Sequence, residues 1–358
     1  MHGGNIKEAI ERYNLKGKRI LDFSANINPL GPPDYVRDII LDNIDCIKHY
    51  PDPQSKELKT MVAQYLGVGE ENVIVGNGSM ELIYLITKAL FHREGLIPSP
   101  TFREYESSLK SFGSTPRYLR IREEDDFQLY SDDIIKNLHR SKLLFLCNPN
   151  NPTGRMIGRE ELKTLINHTE KNGVFVVIDE AFIDFVNDAQ DESMVNLAAT
   201  GKNIFVLRSL TKFFALPGLR IGYGVGNSGL IRRLEGIRGV WSVNTFAQAV
   251  GSQVLKDKGF IKKTCEFIKE ERRYLFDALS GFNSLKPYLS SVNFLLIKLI
   301  QDKVNSKYLT QALGKRGIMI RDCSSFRYLN SRFIRIAIRR REDNLCLINN
   351  LREVLDLG

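Results

Sequence analysis

Four apolar runs rich in Val, Ile, Leu and Phe constrain this chain more than any other feature: KLLFLCNP, GVFVVIDEAF, NIFVLRSL and RIGYGVG. Short runs of that kind, bounded by turn residues, read as strands buried on both faces. Polar stretches with helical spacing separate most of them, 158–171 being one. Upstream, 55–66 (SKELKTMVAQYL) carries apolar residues at helical spacing behind a serine cap. ENVIVGNG then reads as a short buried strand ending in glycines, and MELIYLITKALF resumes the helical spacing at once. Strands alternating with helices predict an α/β fold: a large domain around a mostly parallel sheet, residues 46–245. Beyond it, 255–280 reads as one long amphipathic helix. VNFLLIKL, GIMIRDC and RFIRIAIR read as strands, and EDNLCLINNLREVL as a closing helix. That order predicts a smaller α+β domain over 246–358, to which residues 1–45 return.

A chain of 358 residues is long enough for two unequal domains. It is 43% hydrophobic and 26% charged, and no apolar run reaches the ~18 residues of a membrane span, so no membrane partner is expected. MHGGNIKEAIERY lacks the basic-then-apolar pattern of a secretory signal, and a cytoplasmic protein is expected. Five cysteines, scattered and without a CxxC, suggest neither a disulfide framework nor a zinc site, and no metal is implied. The excess of 51 Lys and Arg over 42 Asp and Glu, a net charge of +9, suits nucleic acid, an acidic surface or phosphorylated small molecules. The densest basic segment, RFIRIAIRRR, alternates at strand period and predicts a strand with one solvated face. No helix-turn-helix, zinc-finger or base-stacking pattern accompanies it, so no nucleic-acid partner is expected.

Polar residues cluster where the predicted strands end: Gly76–Ser79, Asn148–Gly154, Asp179–Phe182 and Ser209–Lys212. In parallel sheets ligands bind at the carboxyl ends of strands, so these clusters converge on one site. Lys212, in SLTKFFALPGLRIGY, lies in an apolar stretch eight residues before Arg220. Desolvation and like charge lower an amine's proton affinity and make it a nucleophile toward carbonyl carbon, which is how pyridoxal 5′-phosphate is held. Ser209, Thr211 and Arg220 supply two hydroxyls and a guanidinium suited to a phosphate dianion. The backbone N–H groups of Gly78, Ser79 and Met80, opening a helix, suit the same anion. Asp179 ends an apolar strand, where an unpaired carboxylate is costly; opposite a pyridine nitrogen it keeps that nitrogen protonated. Asn151, in NPNNPTG, is placed to donate to the ring's phenolic oxygen.

SLTKFFALPGLRIGY, NPNNPTG, DEAF and GNGS, in one chain and nearly spanning it, resemble the fold-type I pyridoxal-phosphate-dependent class I/II aminotransferase superfamily, near its histidinol-phosphate aminotransferase branch. The resemblance implies roles for further residues. Phe102, in SPTFREY, would stack on the cofactor ring. Tyr50, in HYPDPQS, would reach the cofactor phosphate of a neighbouring subunit, which implies a homodimer. Two departures stand out: Met80 occupies the place of an acid in the usual GSDE, and Phe182 that of the tyrosine in DEAY. HGGNIKEA, LDFSANINPLGPP, LDNIDCIKHYPD and WSVN resemble instead a branch of the superfamily that decarboxylates a small phosphorylated amino acid for cobalamin assembly. Such a substrate carries a carboxylate and a phosphate. Arg335 with Asn26 is expected at the carboxylate, and Arg321 with His2 at the phosphate. Gly3 and Gly4 would let the N-terminal segment close over the substrate, although spacing alone leaves the two arginines interchangeable. The bond held perpendicular to the plane of the substrate imine breaks most easily, so the anion-binding groups decide between loss of carbon dioxide and transamination. The proton returned to the α-carbon comes from Lys212 or an ordered water.

Overall fold

The computed structural model describes residues 3–90, 94–301 and 304–356. Thirteen strands are described, the first being the two-residue β1 (Leu21–Asp22). β2 (Val73–Gly76), β3 (Glu94–Ser99), β4 (Thr115–Arg120), β5 (Leu143–Cys147), β6 (Phe175–Asp179), β7 (Ile204–Ser209) and β8 (Gly222–Val225) form one sheet, in the order β2-β8-β7-β6-β5-β3-β4. β8 pairs antiparallel with both β7 and β2, and the other pairings are parallel. Two reversals cancel, so β2 runs with β5, β6 and β7. The carboxyl ends of all four meet at one sheet edge.

β5, β6 and β7 are buried at every position. Phe145, Val177, Phe205 and Leu207 pack on one face with residues of the helices Gly78–Leu90 and Glu104–Ser111. Leu144, Leu146, Val176, Ile178 and Val206 pack on the other with Lys56–Leu66 and Arg159–Lys171. Burial on both faces is why these strands read as continuous apolar runs.

The second sheet contains β9 (Leu285–Pro287), β10 (Phe294–Leu299), β12 (Arg321–Asp322) and β13 (Phe333–Ala337), all antiparallel, in the order β12-β13-β10-β9. β11 (Ile318–Met319) pairs in parallel with β1, which carries the N-terminal segment to this part of the molecule. No described helix is long and apolar enough to cross a membrane.

Several local expectations are corrected. β13 has no solvated face: all five residues are buried, with Phe333, Ile334 and Ile336 packed in the core and Arg335 turned into the cleft between the sheets. The long helix expected over 255–280 is present as Lys258–Ser280, starting a few residues later because Asp257 caps it, its side chain accepting from Phe260 N at 2.8 Å, and a separate helix, Thr245–Val254, precedes it. GIMIRDC splits at Ile320, where the chain leaves β1 for β13. Ser55 does not cap by its side chain; it adopts a left-handed φ of 49°, and Asp52 accepts from Lys56 N at 2.7 Å instead. β3 and β4 carry too many polar and proline residues to show the apolar pattern that marked the others.

Candidate active site

Each strand end contributes a different group. Beyond β2 the helix Gly78–Leu90 begins, with Gly78 at φ +77°. A Cβ at Gly78 would lie 2.8 Å from Arg220 Nη2, and one at Gly222 would lie 2.5 Å from Ser79 N. Glycine at both positions lets the helix N-terminus, β8 and the Arg220 guanidinium share one corner. The first-turn amides of Gly78, Ser79 and Met80 have no intrahelical acceptor and line that corner. Ser209 at the end of β7 and Thr211 just beyond it complete the corner with hydroxyl oxygens 2.7 Å apart.

Lys212 sits on the short helix Leu210–Phe213, its Nζ 3.4 Å from Ser209 Oγ. The N-terminal segment fixes this turn: Asn28 N donates to Lys212 O at 3.0 Å, and Asn28 Nδ2 to Phe213 O at 2.7 Å. Burial pulls the amine down to about 8, the Asp179 carboxylate opposes that, and the Arg220 charge adds to it. At neutral pH a usable fraction of Lys212 is the free base.

Asp179 ends β6, 4% exposed, with Oδ1 accepting from Ala181 N at 2.9 Å and Oδ2 from the Tyr105 hydroxyl at 2.7 Å. Burial raises its carboxyl, opposed by those two donors and the Lys212 charge. Phe102 meets the Tyr105 ring edge-on at 5.7 Å. These groups line one cleft.

Phe102, Asn151, Phe182 and Lys212 also border a wider chamber that reaches the second sheet. There Arg335 donates through Nη1 to Asn151 Oδ1 at 2.5 Å and through Nη2 to Ser24 O at 2.7 Å. Asn151 Oδ1 being taken by Arg335, its Nδ2 is the atom left to donate into the cleft. Arg335 Nε and Asn26 Oδ1 are buried without a hydrogen-bond partner among the described residues. Burial pushes the Arg335 guanidinium down to about 10, so it stays charged at neutral pH. Arg321, lowered in the same direction by burial, lies against Ser325 Oγ at 3.0 Å and over the Phe326 ring. Gly4 N donates to Ser24 Oγ at 2.9 Å, and a Cβ at Gly3 would meet Ser24 O at 2.2 Å, so glycine is what lets the N-terminal segment cross this chamber.

The structure thus gathers Gly78, Ser79, Met80, Phe102, Asn151, Asp179, Ser209, Thr211, Lys212 and Arg220 in the cleft, and Gly3, Gly4, Asn26, Arg321 and Arg335 in the adjoining chamber. Tyr50 is not among them; it is 77% exposed and stacks on Trp241 at 4.2 Å. His2 lies outside the described residues. Sequence reasoning missed Tyr105, and it missed a buried group behind the strand ends. In that group Arg208, 1% exposed, reaches Glu180 at 3.1 Å and Asp184 at 3.3 Å. Tyr105 follows Phe102 by one helical turn, which was the available signal; Arg208 had none, because its partners are 24 and 28 residues away.

The sequence matches the family model described as aminotransferase class I and II over residues 18–350. It is 43% identical to a putative threonine-phosphate decarboxylase of Caldanaerobacter subterraneus subsp. tengcongensis, covering 100% of this chain and 94% of that one. It is 36% identical to a threonine-phosphate decarboxylase of Salmonella typhimurium, covering 99% and 96%. Among solved structures, a histidinol-phosphate aminotransferase from Clostridium acetobutylicum superposes with a TM-score of 0.88 at 30% identity, over 95% of this chain and 100% of that one.

Proposed function

Because the chain belongs to the aminotransferase class I and II family, we propose that it decarboxylates L-threonine O-3-phosphate to (R)-1-aminopropan-2-yl phosphate and carbon dioxide. The observation that carries this reading is one chamber in which Arg335 and Arg321 lie beside Lys212, two cations for the two anionic ends of one small substrate. The two threonine-phosphate decarboxylases similar to this chain over nearly its whole length support the substrate.

The cofactor is pyridoxal 5′-phosphate, and the donor set fits it: a lone amine of lowered basicity, an anion corner built from a helix N-terminus, two hydroxyls and a guanidinium, and a buried carboxylate facing them across the cleft. When bound it supplies an aldehyde that condenses with amines and a pyridine ring that draws electrons from the adjacent carbon. Lys212 is the amine that holds it. Gly78, Ser79 and Met80 amides with Ser209, Thr211 and Arg220 bind its phosphate. Asp179 would hold a proton on the ring nitrogen, Asn151 Nδ2 would donate to the phenolic oxygen, and Phe102 would cover the ring.

Arg335, its fork fixed by Asn151 and Ser24, binds the substrate carboxylate together with Asn26, and so sets which bond at the α-carbon is held for cleavage. Arg321, with Gly3, Gly4 and His2 of the N-terminal segment, binds the substrate phosphate. Lys212 in its ammonium form would return the proton to the α-carbon, with an ordered water as the alternative donor. Exposed Tyr50 serves the phosphate corner of a second copy, so the working unit is a homodimer, and its place is the cytoplasm.

The likeness to the Clostridium histidinol-phosphate aminotransferase favours a second reading, transamination on the same scaffold. Product analysis separates them. Carbon dioxide and the aminopropanol phosphate from threonine phosphate, with no keto-acid requirement, are expected; keto-acid-dependent turnover of histidinol phosphate without carbon dioxide would overturn the decarboxylase.

A further inference from the structure

The Asp179 carboxylate is held by two donors of different origin. The Ala181 amide reaches Oδ1 as part of the turn that follows β6, whereas the Tyr105 hydroxyl, 2.7 Å from Oδ2, comes from a helix 74 residues earlier in the chain. Tyr105 is fully buried. Its ring stacks on Phe145 at 5.2 Å with 9° between planes and meets Phe102 at 5.7 Å and 79°. The phenol is packed between two rings, and its hydroxyl faces two groups, the Asp179 carboxylate and the Cys147 thiol, which burial keeps protonated. Its direction is therefore set by the core, while the Lys212 and Glu180 charges also act on Asp179.

We infer that Tyr105 is a positioning residue: it fixes the Asp179 carboxylate through its hydroxyl and Phe102 through its ring edge, so that the two protein contacts expected on the cofactor ring are held as one unit. The inference rests on the pyridoxal phosphate reading above. Its physical basis is the balance at Asp179. Burial works against the ionised carboxylate, and the donors work for it. Burial also pushes the Tyr105 phenol well above its ordinary value, so it remains a protonated donor at neutral pH. Without that donor Asp179 takes a proton more readily and holds the ring nitrogen's proton less firmly. A tyrosine that merely fills the core would leave the ionisation of Asp179 unchanged.

Tyr105→Phe keeps both ring contacts and removes only the hydroxyl. In the cofactor-loaded protein the pH midpoint of the visible absorbance change should move by about one pH unit, and kcat should fall about tenfold with KM within about twofold, the scale of one charge-assisted hydrogen bond. Added to Asp179→Asn, the same change should cost little more than Asp179→Asn alone, because both act through one group. In the protein free of cofactor, the stability lost should be larger at neutral than at acid pH, where a protonated Asp179 needs the donor less. An unmoved midpoint, additive losses and an equal stability loss at both pH values would overturn the inference and leave Tyr105 a core residue. If the phenylalanine variant does not fold, 3-fluorotyrosine placed at position 105, a stronger donor of nearly the same shape, should move the midpoint the opposite way; no movement overturns the inference equally. A wild-type chain that binds no pyridoxal phosphate would remove the cofactor reading instead, and the acid–neutral comparison on the free protein would still test the Tyr105–Asp179 contact.

Discussion

Replacing Arg335 by methionine separates what this side chain does for a substrate from what it does for the fold. Burial lowers its guanidinium to about 10; at about 1.4 kcal/mol per pH unit, charging it inside the protein costs the native state about 3 kcal/mol. A base depressed by folding carries that cost wherever it is charged in the fold, below about pH 10, and neutral pH lies inside that window. Against it stand two hydrogen bonds, to Asn151 Oδ1 and Ser24 O, worth about 1 kcal/mol net each. The cation over the Phe294 ring adds about 1 kcal/mol. Loss and relief nearly cancel, and methionine fills the stem's volume. Urea unfolding of the cofactor-free variant should therefore show stability within about 1 kcal/mol of the parent. The substrate has no such compensation: losing a buried guanidinium–carboxylate pair, at about 3 kcal/mol, should lower kcat/KM for carbon dioxide release from threonine phosphate about 100-fold. A variant destabilised by 3 kcal/mol or more would show that Arg335 is a structural tie, and an unchanged kcat/KM would take it out of the substrate site.

The amine of Lys212 titrates near 8, below the ordinary lysine value, so the protonated form is disfavoured in the fold. The cofactor-free protein should gain stability as pH rises from about 8 toward that ordinary value, and Lys212→Met should abolish the slope in a urea series run across that range. Lys212→Ala should end turnover, with pyridoxal phosphate retained by the phosphate corner but no longer fixed by borohydride; residual decarboxylation at the parental rate would refute its role. Gly78→Ala places a side chain at φ +77° and 2.8 Å from Arg220 Nη2; about 1–2 kcal/mol of strain should appear as roughly tenfold weaker cofactor binding in an absorbance titration. If Tyr50 serves the opposite copy, mixing inactive Lys212→Ala and Tyr50→Ala chains should restore about a quarter of parental activity, since half of the dimers formed have one intact site of two. No recovery on mixing would place Tyr50 outside the site.

The sequence by itself determined the strand interiors and the groups at their ends. β5, β6 and β7 were legible because burial on both faces forces an unbroken apolar run, and Lys212, Asp179, Asn151 and the Gly78 turn were legible because each lies within a few residues of such a run. Local polarity in a chain records local burial, and these features needed nothing more. The edge strand β4, only partly buried along its length, and its neighbour β3, whose run is broken by Gly95 and Pro98, left no such record.

Which groups face one another was settled by packing. RFIRIAIR alternates as a half-exposed strand would, yet core packing buries Phe333, Ile334 and Ile336 of β13 while Arg335 lines the chamber. The order of the strands, not their composition, cancelled two reversals to bring β2 beside β7's direction and put the glycine turn at the same edge as Lys212. The partners of Asp179 and Arg208 lie 74, 28 and 24 residues away. A hydrogen bond across such a distance is chosen by packing, which acts on the folded chain as a whole, so no stretch of sequence carries its signature.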